Sequence, residues 1–238
     1  MCELIDKKVG QVVAENFQTA AVFSKYGIDF CCGGGLTIEK ACENKEIDSK
    51  KLLEELLEAN QHQDPLIEQH LSLTQIIDHI VSTHHSYVDR TLGPLKAYLQ
   101  KIESVHGDRH PELHQVKQMF FEASDALTSH MKKEEFILFP YVKAMEMAKQ
   151  KHFPLSAPHF GDIENPIHMM EEEHEKEGDR FNELAKITNN YTPPEDGCQT
   201  YQVAYAMLRE FVEDLHTHIH LENNVLFPRA TTLYHELN

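Results

Sequence analysis

Two histidine–glutamate pairs stand in matching register in this chain. Residues 127–140 read LTSHMKKEEFILFP and residues 215–228 read LHTHIHLENNVLFP; both fit L-x-x-H-x-x-x-E-x-x-x-L-F-P. The first copy aligns His130 and Glu134 with His218 and Glu222, 88 residues later. On a helix, residues four apart share a face and lie about 6 Å apart along the axis. An imidazole and a carboxylate so placed can share one metal ion, and two such pairs suggest two ions or one binuclear centre.

A repeated element implies a repeated unit. His85 lies 45 residues before His130, and His174 lies 44 residues before His218. His84 is adjacent, so the register needs an argument. Around His174 the apolar residues Met170, Phe181 and Leu184 fall at −4, +7 and +10. The same offsets from His85 give Val81, Leu92 and Leu95, whereas His84 gives Ile80, Thr91 and Pro94. His85 keeps the register and His84 is held in reserve. The expected ligand set is therefore His85, His130, Glu134, His174, His218 and Glu222. Imidazole with carboxylate suits iron and, less distinctively, manganese, zinc or cobalt.

Other candidates carry a weaker signal. His216 and His220 sit two residues either side of His218, about 200° around a helix, and are expected to point away from the bundle as bystanders. Glu135 falls outside the repeat and is expected to face solvent. Glu171, Glu172 and Glu173 form a charge run of the kind that usually covers a solvated face; Glu173, beside His174, is the one candidate for supporting a ligand.

These residues need helices to position them. From Leu73 onward the apolar spacing is helical: Ile77, Val81, His85, Val88, Leu92, Leu95 and Leu99 draw one face. The spacing predicts a second helix from Glu112 into the first repeat block, with Pro140 kinking or ending it. A third carries Met170, His174, Phe181, Leu184 and Ile187. The turn signal at Asn189–Gly197 precedes a fourth from about Thr200 to Phe227, ended by Pro228. The fold class expected is all-α, an up-down-up-down four-helix bundle with inward ligands on every helix. Residues 1–58 read as a separate small helical domain and residues 66–238 as the bundle, with a polar linker at Asn60–Pro65. In the small domain, one helix is expected over Val9–Tyr26, ended by Gly27. Caps are expected at Thr37 and at Asp48 or Ser49, with Leu52, Leu53, Leu56 and Leu57 on a second short helix.

The vicinal pair Cys31–Cys32, followed by three glycines, is the other feature with chemical potential. Exposed backbone N–H groups can lower a thiol pKa, and a disulfide ring between adjacent cysteines is strained. A thiol or transfer role is expected for both, against the bland reading of small residues at a turn. Five cysteines, an odd number that includes this adjacent pair, argue against a secreted disulfide framework. A net charge of −17 argues against unaided nucleic-acid binding, which needs clustered Lys and Arg. No stretch approaches the roughly 20 apolar residues of a membrane span, and the N-terminus lacks a signal-peptide core. A cytoplasmic protein is expected.

Together, KYGIDFCCGG, SHMKKEEFILFP, MEEEHEKEG and HIHLENNVLFP resemble the hemerythrin-like di-iron proteins that repair iron–sulfur clusters, the repair-of-iron-centres family. The resemblance covers nearly the whole chain. It implies a hemerythrin-like bundle holding two Fe ions per chain, joined by oxo and carboxylate bridges. His85, His130, His174 and His218 would be terminal ligands, with Glu134 and Glu222 bridging. The cysteine pair, Cys31 and Cys32, would lie in the family's small N-terminal domain. Implied partners are damaged iron–sulfur proteins or apo-cluster acceptors and the small molecules NO and O2. The implied function is repair after oxidative or nitrosative stress. An O2/NO carrier or sensor, or an NO-reducing di-iron enzyme, is the alternative, and association into a homodimer is left open.

Overall fold

The computed structural model describes residues 2–61 and 71–237. Most of the expected linker, from residue 62 on, lies outside the described residues, as does the start of the expected bundle domain at 66. Among the described residues there is no β-strand, only an isolated bridge between Lys8 and Thr37. The N-terminal helices are α1 (Cys2–Ile5), α2 (Val9–Glu15), α3 (Gln18–Lys25), α4 (Ile38–Lys45) and α5 (Ser49–Gln61). Four long helices follow: α6 over 73–106, α7 over 112–151, α8 (Glu164–Ile187) and α9 over 199–237.

Three of the long helices contain a π turn. Those turns are Ile80–His85 in α6, Glu134–Leu138 in α7 and Leu221–Leu226 in α9. Each begins at, or ends with, residues of the expected ligand set or their neighbours. In α7 the Phe139 N–H bonds to the Glu134 carbonyl five residues back, and in α9 Phe227 bonds to Glu222 in the same way. Both π turns end two residues before the proline of the repeat, Pro140 or Pro228. A proline in a regular helix loses one hydrogen bond and collides with the carbonyl four residues back. The wider turn displaces that carbonyl, so neither proline ends its helix. α7 runs on to Lys151 and α9 to Leu237, past the expected stops.

The chain divides into two compact units. One takes residues 78–144 and 156–218 and is the four-helix bundle. Its core gathers on Phe211 of α9, whose ring meets Tyr87 of α6, Phe120 of α7 and Phe181 of α8 at centroid distances of 6.3, 5.4 and 5.9 Å. All four helices thus contribute a ring to one aromatic cluster. Aromatic pairs at such separations add roughly 0.5–1.5 kcal/mol each beyond their buried area.

The other unit draws on residues 1–77, 145–155 and 219–238. Its N-terminal helices bury Val9, Val12, Val13, Phe23, Ile38, Leu52 and Leu56. The single helix expected over Val9–Tyr26 is two, because Asn16 adopts an extended backbone (φ −156, ψ 105) and its side-chain oxygen accepts the Gln18 N–H. Gly27 does end α3: at φ +64 it closes a left-handed cap in which the Ile28 N–H reaches the Phe23 carbonyl. Thr37 caps α4 by accepting from the Lys40 N–H, and Asp48 caps α5 by accepting from Lys50. Leu57, on the same helix, is exposed. In the same unit Glu146 accepts from the Leu73 and Thr74 N–H groups, capping the start of α6.

Candidate metal centre

Five of the six expected ligands converge inside the bundle. His85 closes the π turn of α6, and its Nε2 lies 3.1 Å from Nε2 of His218 on α9. His130 on α7 and His174 on α8 bring their Nε2 atoms to 2.9 Å. Between these imidazoles lies Glu134, fully buried, with Oε2 3.4 Å from His85 Nε2 and Oε1 3.3 Å from His130 Nε2. Donor atoms of His85, Glu134 and His218 all fall within 4.8 Å of one another, as do those of His130, Glu134 and His174. Glu134 belongs to both sets and turns one oxygen toward each. Glu222 follows one turn after His218 on the same helix, inside the π turn, and is also fully buried.

Hydrogen bonding suits this convergence to a cation. His85 Nδ1 lies 2.6 Å from Glu135 Oε1, and His130 Nδ1 lies 2.9 Å from Glu173 Oε2. An ionised carboxylate only accepts, so each of these Nδ1 atoms carries the proton. With Nδ1 as the donor, the Nε2 atoms of neutral His85 and His130 rings turn their lone pairs toward the oxygens of Glu134. Such an arrangement in a buried site is costly unless a positive charge sits between the groups. A metal ion held there would supply that charge, and a carboxylate on the far ring nitrogen is the usual support for a metal-binding histidine. The His130 imidazole, and after it Lys133, holds the Glu173 carboxyl at about 2.

Several side chains differ from their sequence expectation. Glu135 does not simply face solvent but orients His85. Its place five residues after His130 predicts another face only on a regular helix; the π turn starting at Glu134 rotates less per residue. Glu173 supports His130 on α7 rather than its own neighbour His174. His84 is buried beside His85, with Nδ1 3.0 Å from Asp214 and its ring stacked 5.6 Å from that of His218. Nothing in the repeat points to Asp214, which is 130 residues away in sequence. His220 points away from the His218 face, as its spacing requires, yet it is buried rather than solvated. Its ring meets Phe17 and Phe30 at 5.9 and 5.8 Å, and burial pushes its pKa down to about 4. His216 is half-buried.

Cys31 and Cys32 belong to the other unit. Their Sγ atoms are 3.9 Å apart, and Cys31 Sγ lies 3.2 Å from Asp29 Oδ1. There, too, Asn224 of α9 donates its side-chain N–H to the Phe30 and Cys31 carbonyls.

Residues 76–230 match the hemerythrin HHE cation binding domain, and residues 5–60 match a domain described as ScdA_N, of unknown function. The chain is 32% identical over 220 residues to the iron–sulfur cluster repair protein ScdA of Staphylococcus haemolyticus, covering 92% of this chain and 95% of that one. It is 35% identical over 225 residues to the iron–sulfur cluster repair protein YtfE of Enterobacter sp. strain 638, covering 94% and 96% respectively. The YtfE of Escherichia coli O8 is likewise 35% identical, over 232 residues, with 94% and 96% covered.

Proposed function

The chain belongs to the hemerythrin-like iron–sulfur cluster repair family, and from that premise we propose that it binds two iron ions and supplies iron to damaged iron–sulfur clusters. The ligands in this reading are His85, His130, Glu134, His174, His218 and Glu222. The observation that carries it is Glu134, placed with one oxygen toward His85 and the other toward His130. That is the disposition of a carboxylate shared by two ions. Glu222 is buried in the second repeat's π turn and takes the equivalent role by register.

Each residue has a defined task. Glu135 and Glu173 hold protons on Nδ1 of His85 and His130, which leaves both Nε2 lone pairs aimed inward. The π turns set the carboxylates of Glu134 and Glu222 at a different angle from the one a regular helix gives. Burial excludes water from around the donors. Iron held there would supply the reaction with a labile ion. Damage by oxidants or nitric oxide in the bacterial cytoplasm is the setting this reading assigns. No helix among the described residues is long and apolar enough to cross a membrane.

The test is reactivation of a nitric-oxide-damaged iron–sulfur enzyme by the iron-loaded full chain, with isotopically marked iron followed into the client. Transfer of marked iron together with recovered activity supports the reading. Reversible binding of O2 or NO with no iron leaving the chain would make it a carrier, and catalytic loss of NO with a reductant would make it an enzyme.

A further inference from the structure

We propose that Asp29, Cys31 and Cys32 form a second metal site, an open thiolate–carboxylate seat for one thiophilic divalent cation. Its existence stands on these three residues; its use for Fe(II) in transit rests on the repair reading above.

The donor atoms of the three side chains lie within 4.8 Å of one another. The two Sγ atoms are 3.9 Å apart. Two thiolates on one tetrahedral ion, each about 2.3 Å from it, lie about 3.8 Å apart, so the pair already has the spacing of a chelate. A disulfide needs about 2.05 Å, roughly half that separation. Asp29 is fixed toward the sulfurs: its Oδ1 accepts from the Cys31 and Cys32 amides at 2.9 and 3.1 Å and lies 3.2 Å from Cys31 Sγ. A side-chain turn at Asp29 accounts for the two amide contacts. It does not call for two thiols against the same carboxylate.

The surrounding backbone is built to hold this loop. A Cβ at Gly33 would sit 3.1 Å from both the Cβ and the carbonyl oxygen of Asp29, and one at Gly34 would sit 2.6 Å from the Phe30 carbonyl. Glycine at Gly34 lets the chain fold this tightly against Phe30, and Gly33 spares Asp29 a tight contact. Asn224, two residues along α9 from Glu222, anchors the Phe30 and Cys31 carbonyls. Exposure is graded: Cys31 is buried, Cys32 half-buried and Asp29 exposed, so the seat opens on one side. Three ligands and an open side suit an ion that arrives and leaves, because a client thiol can complete the fourth position. Thiolates select Fe(II), Zn(II) or Co(II) over Mg2+ and Ca2+. The adjacent Cys32, and then burial, push the Cys31 thiol well above its ordinary range, so the incoming cation displaces its proton.

The probe is Co(II), added without oxygen to the full chain already loaded with iron. The His/Glu centre holds no sulfur, so thiolate-to-cobalt charge transfer in the near-ultraviolet reports only a cysteine site. The band should grow to one equivalent of cobalt and vanish in Cys31→Ser and in Cys32→Ser. Asp29→Asn keeps an oxygen for the two amides and removes the charge, and should weaken cobalt binding at least about tenfold. Because this variant preserves the turn, it tests the site even if a serine variant fails to fold. Absence of the band in wild-type chain whose thiols titrate as reduced overturns the proposal. So does a band that persists in both serine variants, since it would belong to another cysteine. Either failure leaves iron content of the His/Glu centre and client reactivation, the tests of the repair reading, unchanged.

Discussion

The two copies of the repeat share a sequence pattern and differ in what they face outward. In both, a histidine and a glutamate four residues later are buried, and a π turn precedes the proline. The intervening positions diverge. Glu135, Phe136 and Ile137 of the first copy align with Asn223, Asn224 and Val225 of the second. Phe136 and Ile137 are 74% and 50% exposed, while Val225 is buried and Asn224 grips the Cys31 loop. Gly10 records how close that grip is, since a Cβ there would lie 2.0 Å from Asn224 Oδ1. The repeated letters therefore set the chemistry turned inward, and the unrepeated letters decide what each copy carries on its back.

Substitution can break this comparison at several strengths. The largest effect is expected from Glu134→Ala, which removes the carboxylate shared by both donor sets. Iron affinity in a chelator competition should fall more than about 100-fold, beyond the usual cost of losing an outer partner. Retention of two irons per chain would mean that Glu134 bridges nothing. His85→Ala should approach that loss. His84→Ala should stay within about tenfold, because its Asp214 contact lies outside the donor set. A spectrum bleached by His84→Ala alone would reverse the register.

Glu135→Ala and Glu173→Ala come next. Each frees the Nδ1 of one histidine and should cost about 10- to 100-fold in iron affinity. An unaltered affinity in either would assign that carboxylate to the surface after all.

The outward faces give the smallest effects and the sharpest contrast. Asn224→Ala leaves the Phe30 and Cys31 carbonyls without their donor and should cost about 1–3 kcal/mol in a denaturant titration. Gly10→Ala should cost about as much by overpacking against Asn224. Phe136→Ala, at the equivalent place in the first copy, should stay within about 0.5 kcal/mol. Equal losses at Asn224 and Phe136 would erase the distinction between the copies.

Much of this molecule was legible before its structure. Apolar periodicity located the four long helices, because burying one face is what makes an amphipathic helix stable. The repeat with its upstream histidines pointed to His85, His130, Glu134, His174 and His218, which the bundle brings together. Gly27, Thr37 and Asp48 were readable as punctuation because caps act through local backbone geometry. Local rules mislead where they meet a tertiary constraint. Pro140 reads as a kink or an end and Pro228 as an end, but π turns carry both helices past them. Asn16 passed as an ordinary helical residue, although its side chain is able to cap the next helix.

What the sequence determined by itself is the inward-facing pattern: residue type and helical spacing choose the face, and the face chooses the candidate donors. What only tertiary structure decided is the set of partners between elements distant in sequence. Glu173 meets His130, Asp214 meets His84, and His220 is buried against Phe17 and Phe30. Spacing along a helix states which way a side chain points. Whether water, a carboxylate or an aromatic ring waits there depends on packing between segments, which no local rule encodes.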